Sequence, residues 1–287
     1  MEESEYEKGL VLEGGGMRGM YTAGILDVML ENEIAIDGIV GVSAGTVFGC
    51  NYKSKQIGRA IRYNKKYCRD SRYGSFISLL KTGDIYDKDF CYNQLPKAID
   101  PFDYKTFEEN PMEFYATCTD ANTGKPVYKR CYNGDDKEME WFRASASMPL
   151  VSKVVQIDGG AYLDGGIGDS IPVRWMRDKG FEKNIVILTR PRGYRKTRNK
   201  MLWLMRIVLH KYPNMIKTMK HRHINYNESL EEVSRLEKAG EVFVFSPDYG
   251  WDISRTEKNP NKLEAAYRMG KKHAFDRLPE LRAFMKE

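Results

Sequence analysis

Strands alternating with helices over about the first 190 of 287 residues predict an α/β fold with a mainly parallel central sheet flanked by helices. Two strand-to-helix turns rich in glycine carry that prediction: GLVLEGGGMRGMYTAGILDVML, residues 9 to 30, and AIDGIVGVSAGTVFGCNY, residues 35 to 52. The composition supports it, because 41% hydrophobic residues in a chain of this length can supply a sizeable core.

The elements follow in order. Leu10, Val11 and Leu12 form a short apolar run suited to a buried strand, and Met20, Ala23, Ile25, Leu26, Met29 and Leu30 recur at roughly helical spacing. Ile39 to Val42 is a second short strand that leads through a sharp turn into another helix start. MEFYATCTDANTGKPVYKRC predicts a hairpin, with Asn122, Thr123 and Gly124 as its turn. WFRASASMPL ends a helix at Pro149, and VSKVVQIDGGAYLDGGIGDSIPV gives short strands separated by glycine turns. RWMRDKG is then helical and Asn184 to Thr189 is a buried strand. Beyond that, a basic segment of helical pattern is interrupted at Pro213, a polar helix spans roughly 228 to 239, Glu241 to Phe245 forms a last strand, and the C-terminus is helical.

Several classes are disfavoured. The five cysteines are odd in number, widely spaced and free of any CXXC pair, as expected of reduced thiols in a cytoplasmic protein without a disulfide framework or metal site. The opening MEESEYEKG is acidic and polar, and no segment approaches the roughly 20 apolar residues of a membrane span. The net charge of +6 is concentrated: residues 190 to 223 hold 11 Lys and Arg and no acid, leaving 35 basic against 40 acidic residues elsewhere. Nucleic acid, anionic lipid and an acidic protein are each partners for such a patch.

The chemistry sits in the two turns. Gly14, Gly16 and Gly19 stand in the register GXGXXG, and Asp37 lies where the ribose-binding acid of a dinucleotide site would fall. The same loop also serves any anion that needs backbone N–H donors. Gly41-Val42-Ser43-Ala44-Gly45 is sharper: GXSXG between strand and helix is the context of a nucleophile elbow, in which small neighbours leave the serine exposed. If the two strands are parallel neighbours, both turns reach one sheet edge, and the Gly14 to Gly16 N–H groups face Ser43 as an oxyanion hole for acyl transfer. Arg18 either adds charge there or pins the loop by a salt bridge. The histidines (His210, His221, His223 and His273) all come late, whereas Asp158 and Asp164 each stand on a glycine turn with open access to a serine.

Gly14, Gly15, Gly16, Arg18 and Gly19 match a GGGXRG loop, Gly41, Ser43 and Gly45 a GXSXG elbow, and Asp164, Gly165 and Gly166 a DGG turn. With ASASMP (144 to 149) and TDANTGKPV (119 to 127), these motifs resemble the patatin-like phospholipases over about residues 9 to 190, and more loosely around Tyr267 to Ala274. The resemblance implies a patatin-like three-layer fold, a lipid or acyl-ester substrate, and a Ser-Asp dyad without histidine: Ser43 as nucleophile, Asp164 as base, and Asp158 as the rival acid. Asp169 and Pro172 after Asp164 fit the family turn, and Thr46, where members often carry alanine, departs from it. No cofactor, metal or nucleic acid is implied. The alternatives are a Ser43-Asp164-His273 triad, in the chain order of conventional α/β-hydrolases, and a Rossmann module.

The whole chain, 1 to 287, is expected to be one hydrolase domain, with a catalytic core to about 190, a basic cap or lid-like segment to about 240, and a C-terminal strand and helix from about 241. Met201, Leu202, Trp203, Leu204, Met205, Ile207, Val208 and Leu209, flanked by Arg195, Lys196, Arg198, Lys200, Lys211, Lys217 and Lys220, form either an interfacial anchor for an anionic membrane or a core helix with a solvated basic flank.

Overall fold

The computed structural model describes residues 8–75, 78–79, 82–250 and 252–286, so the acidic opening of the sequence, up to Glu7, lies outside the described residues. Eight strands form one mixed sheet in which neighbours run β5-β6-β3-β2-β1-β7-β8, with β4 also paired to β3. β1 (Lys8–Leu12), β2 (Gly38–Val42), β3 (Glu113–Asp120), β7 (Lys183–Ile187) and β8 (Val242–Phe245) are mutually parallel. β4 (Pro126–Cys131) and β6 (Gly160–Asp164) run antiparallel to β3, and β5 (Val155–Ile157) antiparallel to β6.

The side-chain period of two along β1 builds the layers. Leu10 and Leu12 face one side of the sheet and pack with Ile39, Phe114, Ile185 and Ile187 beneath α1 (Met20–Glu31) and α9 (Pro260–Asp276). Val11 faces the other and packs with Val40, Val186 and Val244 against α6 (Val173–Asp178) and α8 (Pro213–Lys238). α1 and α9 touch backbone to backbone: a Cβ on Gly24 would strike the Tyr267 carbonyl, and one on Gly270 the Tyr21 carbonyl. Other helices among the described residues are α2 (Ala44–Lys53), α3 (Arg59–Tyr67), a π-type helix Phe90–Ile99, α4 (Tyr104–Glu109), α5 (Asp136–Ser145), α7 (Leu202–Val208) and α10 (Leu278–Phe284).

The three-layer α/β architecture expected from the sequence is therefore present, and the hairpin is β3 with β4. The polar helix expected at about 228 to 239 is instead the last part of α8, which starts at Pro213 and runs 26 residues. Pro213 occupies the first turn, where a missing N–H costs no helical hydrogen bond, so it begins the helix.

Candidate active site

β1 and β2 pair in parallel with Leu12 opposite Gly41, so the glycine loop and the elbow leave the same sheet edge. Ser43 sits between β2 and α2 at φ 55°, ψ −119°, a left-handed backbone state worth about 1–3 kcal/mol of strain in a non-glycine residue. Close packing explains its neighbours: a Cβ on Gly45 would enter the Leu12 carbonyl, and one on Gly41 would come within 2.6 Å of the Thr46 backbone. The strain is held from below. Ser145, at the end of α5, accepts the Ser43 N–H (3.0 Å) and donates its own hydroxyl to the Thr117 carbonyl (2.6 Å). That leaves Thr46 as the donor in its 2.9 Å bond to Ser145, so the departure noted at position 46 is a strut of the elbow.

Strand pairing brings the acid to the serine. β4 takes one edge of β3 from Phe114 to Thr119, so β2 and β6 must share the other. β2 ends with Val42 opposite Thr117, and β6 ends with Asp164 opposite Cys118. The two strands thus meet end to end, with Ser43 and Asp164 at the joint. Asp164 is 3% exposed; Oδ1 accepts the Gly166 N–H at 2.8 Å, and Oδ2 is buried without a hydrogen bond of normal geometry. Burial raises its pKa, while Arg222, the adjacent Ser43 hydroxyl, the Gly166 N–H and Arg255 pull it back. Gly165 lets the turn pass: its Cβ would collide with the Thr117 carbonyl.

The glycine loop closes over this joint. A Cβ on Gly14 would lie 2.8 Å from the Val42 carbonyl and 2.9 Å from the Ser43 Cβ, so only glycine admits the approach. Thr189 donates its hydroxyl to the Gly14 carbonyl (2.9 Å), Arg18 N–H bonds Gly15, and Met17 N–H bonds the Arg255 carbonyl. Among the described residues nothing accepts the N–H groups of Gly14, Gly15 or Gly16, which remain as donors beside the serine.

Arg18 forms no ion pair among the described residues; it is buried, its Nε has no partner, and burial together with Arg190 and Arg255 lowers it to about 10. Of the two roles the sequence allows it, the pinning salt bridge is absent: the loop's carboxylate, Glu13, is already taken by the Thr189 N–H (2.6 Å) and the Tyr226 hydroxyl (2.6 Å). Asp158 is not in the site: it lies exposed on its turn and pairs with Lys137 at 2.9 Å. His273 is held between the Tyr21 hydroxyl (2.9 Å) and Asp248 (3.3 Å) on the α1/α9 side, and it borders neither cavity at Ser43, so it is no third member of a triad. Asp37 precedes β2, at the opposite end of the strand from the glycine loop, and accepts the Lys8 N–H there (2.8 Å), which removes the ribose role.

Two cavities meet at Ser43. One, of about 1090 Å³ measured out to its mouth, is walled by apolar and aromatic side chains including Val47, Phe48, Tyr63, Leu95 and Phe142. The other, about 410 Å³, is lined by Arg18, Arg190, Lys196, Arg222 and Arg255. Ser43, Gly16, Met148 and Arg255 border both. Lys196, which the sequence places on the basic flank, turns inward, its Nζ 4.4 Å from the Tyr226 ring. The helix of that segment divides in two. Leu202, Met205 and Leu209 are buried in a core cluster, whereas Trp203 (64% exposed), Ile207 (62%) and Val208 face outward.

Sequence reasoning missed Glu13, Ser145, Arg222 and Arg255. An acid placed directly before an anion-binding glycine loop and a serine in ASASMP were usable signals; nothing local to Arg222 or Arg255 marks them.

Comparison with known proteins gives the family. The model of the family described as patatin-like phospholipase matches residues 10–175. The chain belongs to that family. Membership implies a lipid acyl hydrolase, and the patatin-like segment contains the elbow, the glycine loop and the DGG turn. Residues 212–286 match a second model, described as a domain of unknown function, DUF6363. Relatives include the uncharacterized protein YjjU of Escherichia coli, 29% identical over 199 residues (63% of this chain, 52% of that protein). Another is the lysophospholipase NTE1 of Scheffersomyces stipitis, 28% identical over 185 residues (62% of this chain, 11% of that protein). The match thus spans about half of the bacterial relative and a small part of the yeast one. Among solved structures, VipD from Legionella pneumophila aligns at TM-score 0.47 and 12% identity, covering 96% of this chain and 67% of that one.

Proposed function

We propose that the protein hydrolyses acyl esters of lipids through a Ser-Asp dyad. One observation carries the reading: Ser43 and Asp164 meet where β2 and β6 abut on β3, beneath free backbone donors, and Ser43 also lines an apolar cavity. Asp164 takes the Ser43 proton as the hydroxyl attacks the ester carbonyl. The N–H groups of Gly14, Gly15 and Gly16 stabilise the oxyanion, with the Arg18 charge behind them. Collapse expels the alcohol, which takes the proton from Asp164, and a water activated by the same carboxylate then releases the fatty acid. The acyl chain lies in the apolar cavity, whose lining buries methylenes at about 0.8 kcal/mol each.

In this reading the chain is one catalytic unit, since β7 and β8 continue the sheet that carries the dyad. Five free cysteines suit a reducing compartment such as the cytoplasm. No helix among the described residues is long and apolar enough to cross a membrane. The outward Trp203, Ile207 and Val208, set among Lys200, Arg206 and Lys211, instead favour peripheral contact with an anionic leaflet.

A fluorophosphonate probe followed by peptide mapping tests the nucleophile. Labelling at Ser43, abolished in Ser43→Ala together with hydrolysis of an ester panel of rising chain length, is the expected result. Undiminished hydrolysis by pure Ser43→Ala protein overturns the assignment.

A further inference from the structure

The second cavity at Ser43 differs from the first in the charge of its lining, although Arg255 borders both. Five cationic side chains converge on it, and four of them, Arg190, Lys196, Arg222 and Arg255, come from beyond the segment that matches the patatin-like family. None forms an ion pair within 4 Å among the described residues. Arg222 donates to the Gly166 carbonyl, Arg190 lies over the Tyr194 ring (4.4 Å), Lys196 lies over the Tyr226 ring (4.4 Å), and Arg255 reaches only the Met148 sulfur (3.7 Å). The two carboxylates of the cavity offset the cations only at a distance: Glu13 accepts from Thr189 and Tyr226 and Asp164 from the Gly166 N–H, and neither forms an ion pair with them among the described residues, although Asp164 and Glu13 raise Arg222 and Glu13 raises Lys196. Arg18 adds a buried Nε with no acceptor.

Such a cluster is costly as it stands. Arg222 and Arg255 join burial in lowering Lys196 to about 7, and Arg222 is itself lowered by burial and Arg255. Like charges gathered at low dielectric are stabilised by a ligand of opposite sign, and a compact phosphate, with one charge as a diester and up to two as a monoester, offers oxygens to several donors at once.

Resting on the hydrolase reading of Ser43, we infer that this chamber binds a phosphate-bearing anion, held by Arg190, Lys196, Arg222 and Arg255. When an ester carbonyl is at the serine, the acyl chain takes the apolar cavity and the phosphate takes the cationic one. The chamber then selects anionic phospholipids or lysophospholipids over neutral esters and zwitterionic lipids, because a choline or ethanolamine cation brings a like charge toward the four side chains. Free phosphate shares the chemistry and is the other source.

Titration calorimetry on Ser43→Ala protein, which cannot turn over, isolates binding from catalysis. sn-Glycerol 3-phosphate is expected to bind, and Lys196→Gln combined with Arg255→Gln to weaken it by about 10-fold or more, as loss of two charge-assisted contacts requires. Lys196→Gln alone, with its melting temperature recorded, serves if the double variant misfolds. In the active protein, kcat/KM for dihexanoyl phosphatidylglycerol should exceed that for dihexanoyl phosphatidylcholine, and the ratio should collapse in the same variants. That result assigns the chamber to a lipid head group. Inorganic phosphate binding as tightly as glycerol phosphate, with no lipid preference, assigns it to the free anion. No binding of either, or equal binding by the variants, overturns the chamber while leaving the esterase intact. Binding retained by a protein whose Ser43 is never labelled would retire the hydrolase reading instead.

Discussion

Ser43 stands between an apolar wall and a wall whose charges come mostly from a later part of the sequence. The apolar wall comes mostly from α2, α3, the π-type helix and α5, all inside the segment that matches the patatin-like family, whereas four of the five cations of the other wall come from residues 190 to 255. An apolar wall is made by packing, so many side chains contribute and any one can be replaced at modest loss. A cationic wall is made by a few charges that repel one another and are tolerable only with a ligand or bound water nearby. The first wall reports that the substrate has a chain; the second reports what the chain is attached to.

The dyad between the walls carries the largest expected effect. Asp164→Asn should lower kcat by about 10³-fold or more, approaching Ser43→Ala, because nucleophile and base act as a unit. Asp158→Asn and His273→Ala should keep most activity, since one lies on the surface and the other is tied to Tyr21 and Asp248. The pH profile adds a check. Asp164 must be ionised to act, and burial raises its pKa, so kcat/KM should fall on the acid side through a pKa above the ordinary carboxylate value. A profile flat down to pH 4 together with an active Asp164→Asn would remove the carboxylate base.

The next effect breaks the apolar wall alone. Val47 lines that cavity and not the cationic one. Val47→Trp takes the room of several methylenes, and at about 0.8 kcal/mol each this should lower kcat/KM for long-chain esters by about 10²-fold. Acetate and butyrate esters should be hydrolysed nearly as before. Equal losses at all chain lengths would mean that the acyl chain lies elsewhere.

The same division explains what the sequence disclosed. The layers were legible because Leu10, Val11 and Leu12 announce a strand buried on both faces, and the elbow because Gly41 and Gly45 obey steric demands local to a turn. Asp164 was separable from Asp158 only through the family turn, since both follow the same D-G-G pattern; the register of β6 on β3 then distinguishes them in space. Arg222 and Arg255 were invisible, being one turn of a long basic helix and one residue of an irregular loop. Their meaning lies in convergence across more than 30 residues, and no local pattern encodes that. Pro213 does mark the interruption the sequence predicts, between α7 and α8, but the start of the polar helix near 228 is not there, because α8 runs unbroken from Pro213.

A smaller effect concerns how the walls reach their substrate. Each Lys or Arg near an anionic leaflet contributes about 1 kcal/mol, screened over a Debye length of roughly 8 Å at physiological salt. Trp203→Ala with Lys217→Glu and Lys220→Glu should therefore cut cosedimentation with anionic vesicles by about 10-fold or more at low salt, with little binding to neutral vesicles in any form. Hydrolysis of a soluble short-chain ester should persist, because Trp203 faces outward and the buried Leu202 and Met205 are untouched. Loss of both activities together with a lower melting temperature would make the segment a core helix only.

The smallest effect tests the cationic wall at a single proton. In the protein alone, burial and the nearby Arg222 and Arg255 bring Lys196 to about 7, with Glu13 opposing and Arg18 adding to the push. At pH 8 its amine is then mostly neutral. A phosphate dianion beside it reverses the balance of charge and favours the ammonium form, so binding must draw a proton from solution. sn-Glycerol 3-phosphate, with a second pKa near about 6, arrives doubly ionised and adds no proton of its own to the count. Binding enthalpies measured at pH 8 in buffers of different ionisation enthalpy should therefore show uptake approaching about one proton per ligand, and Lys196→Met should abolish it. Tight binding with no uptake would place the phosphate away from Lys196 and transfer the recognition to the guanidinium groups, which stay charged across this range.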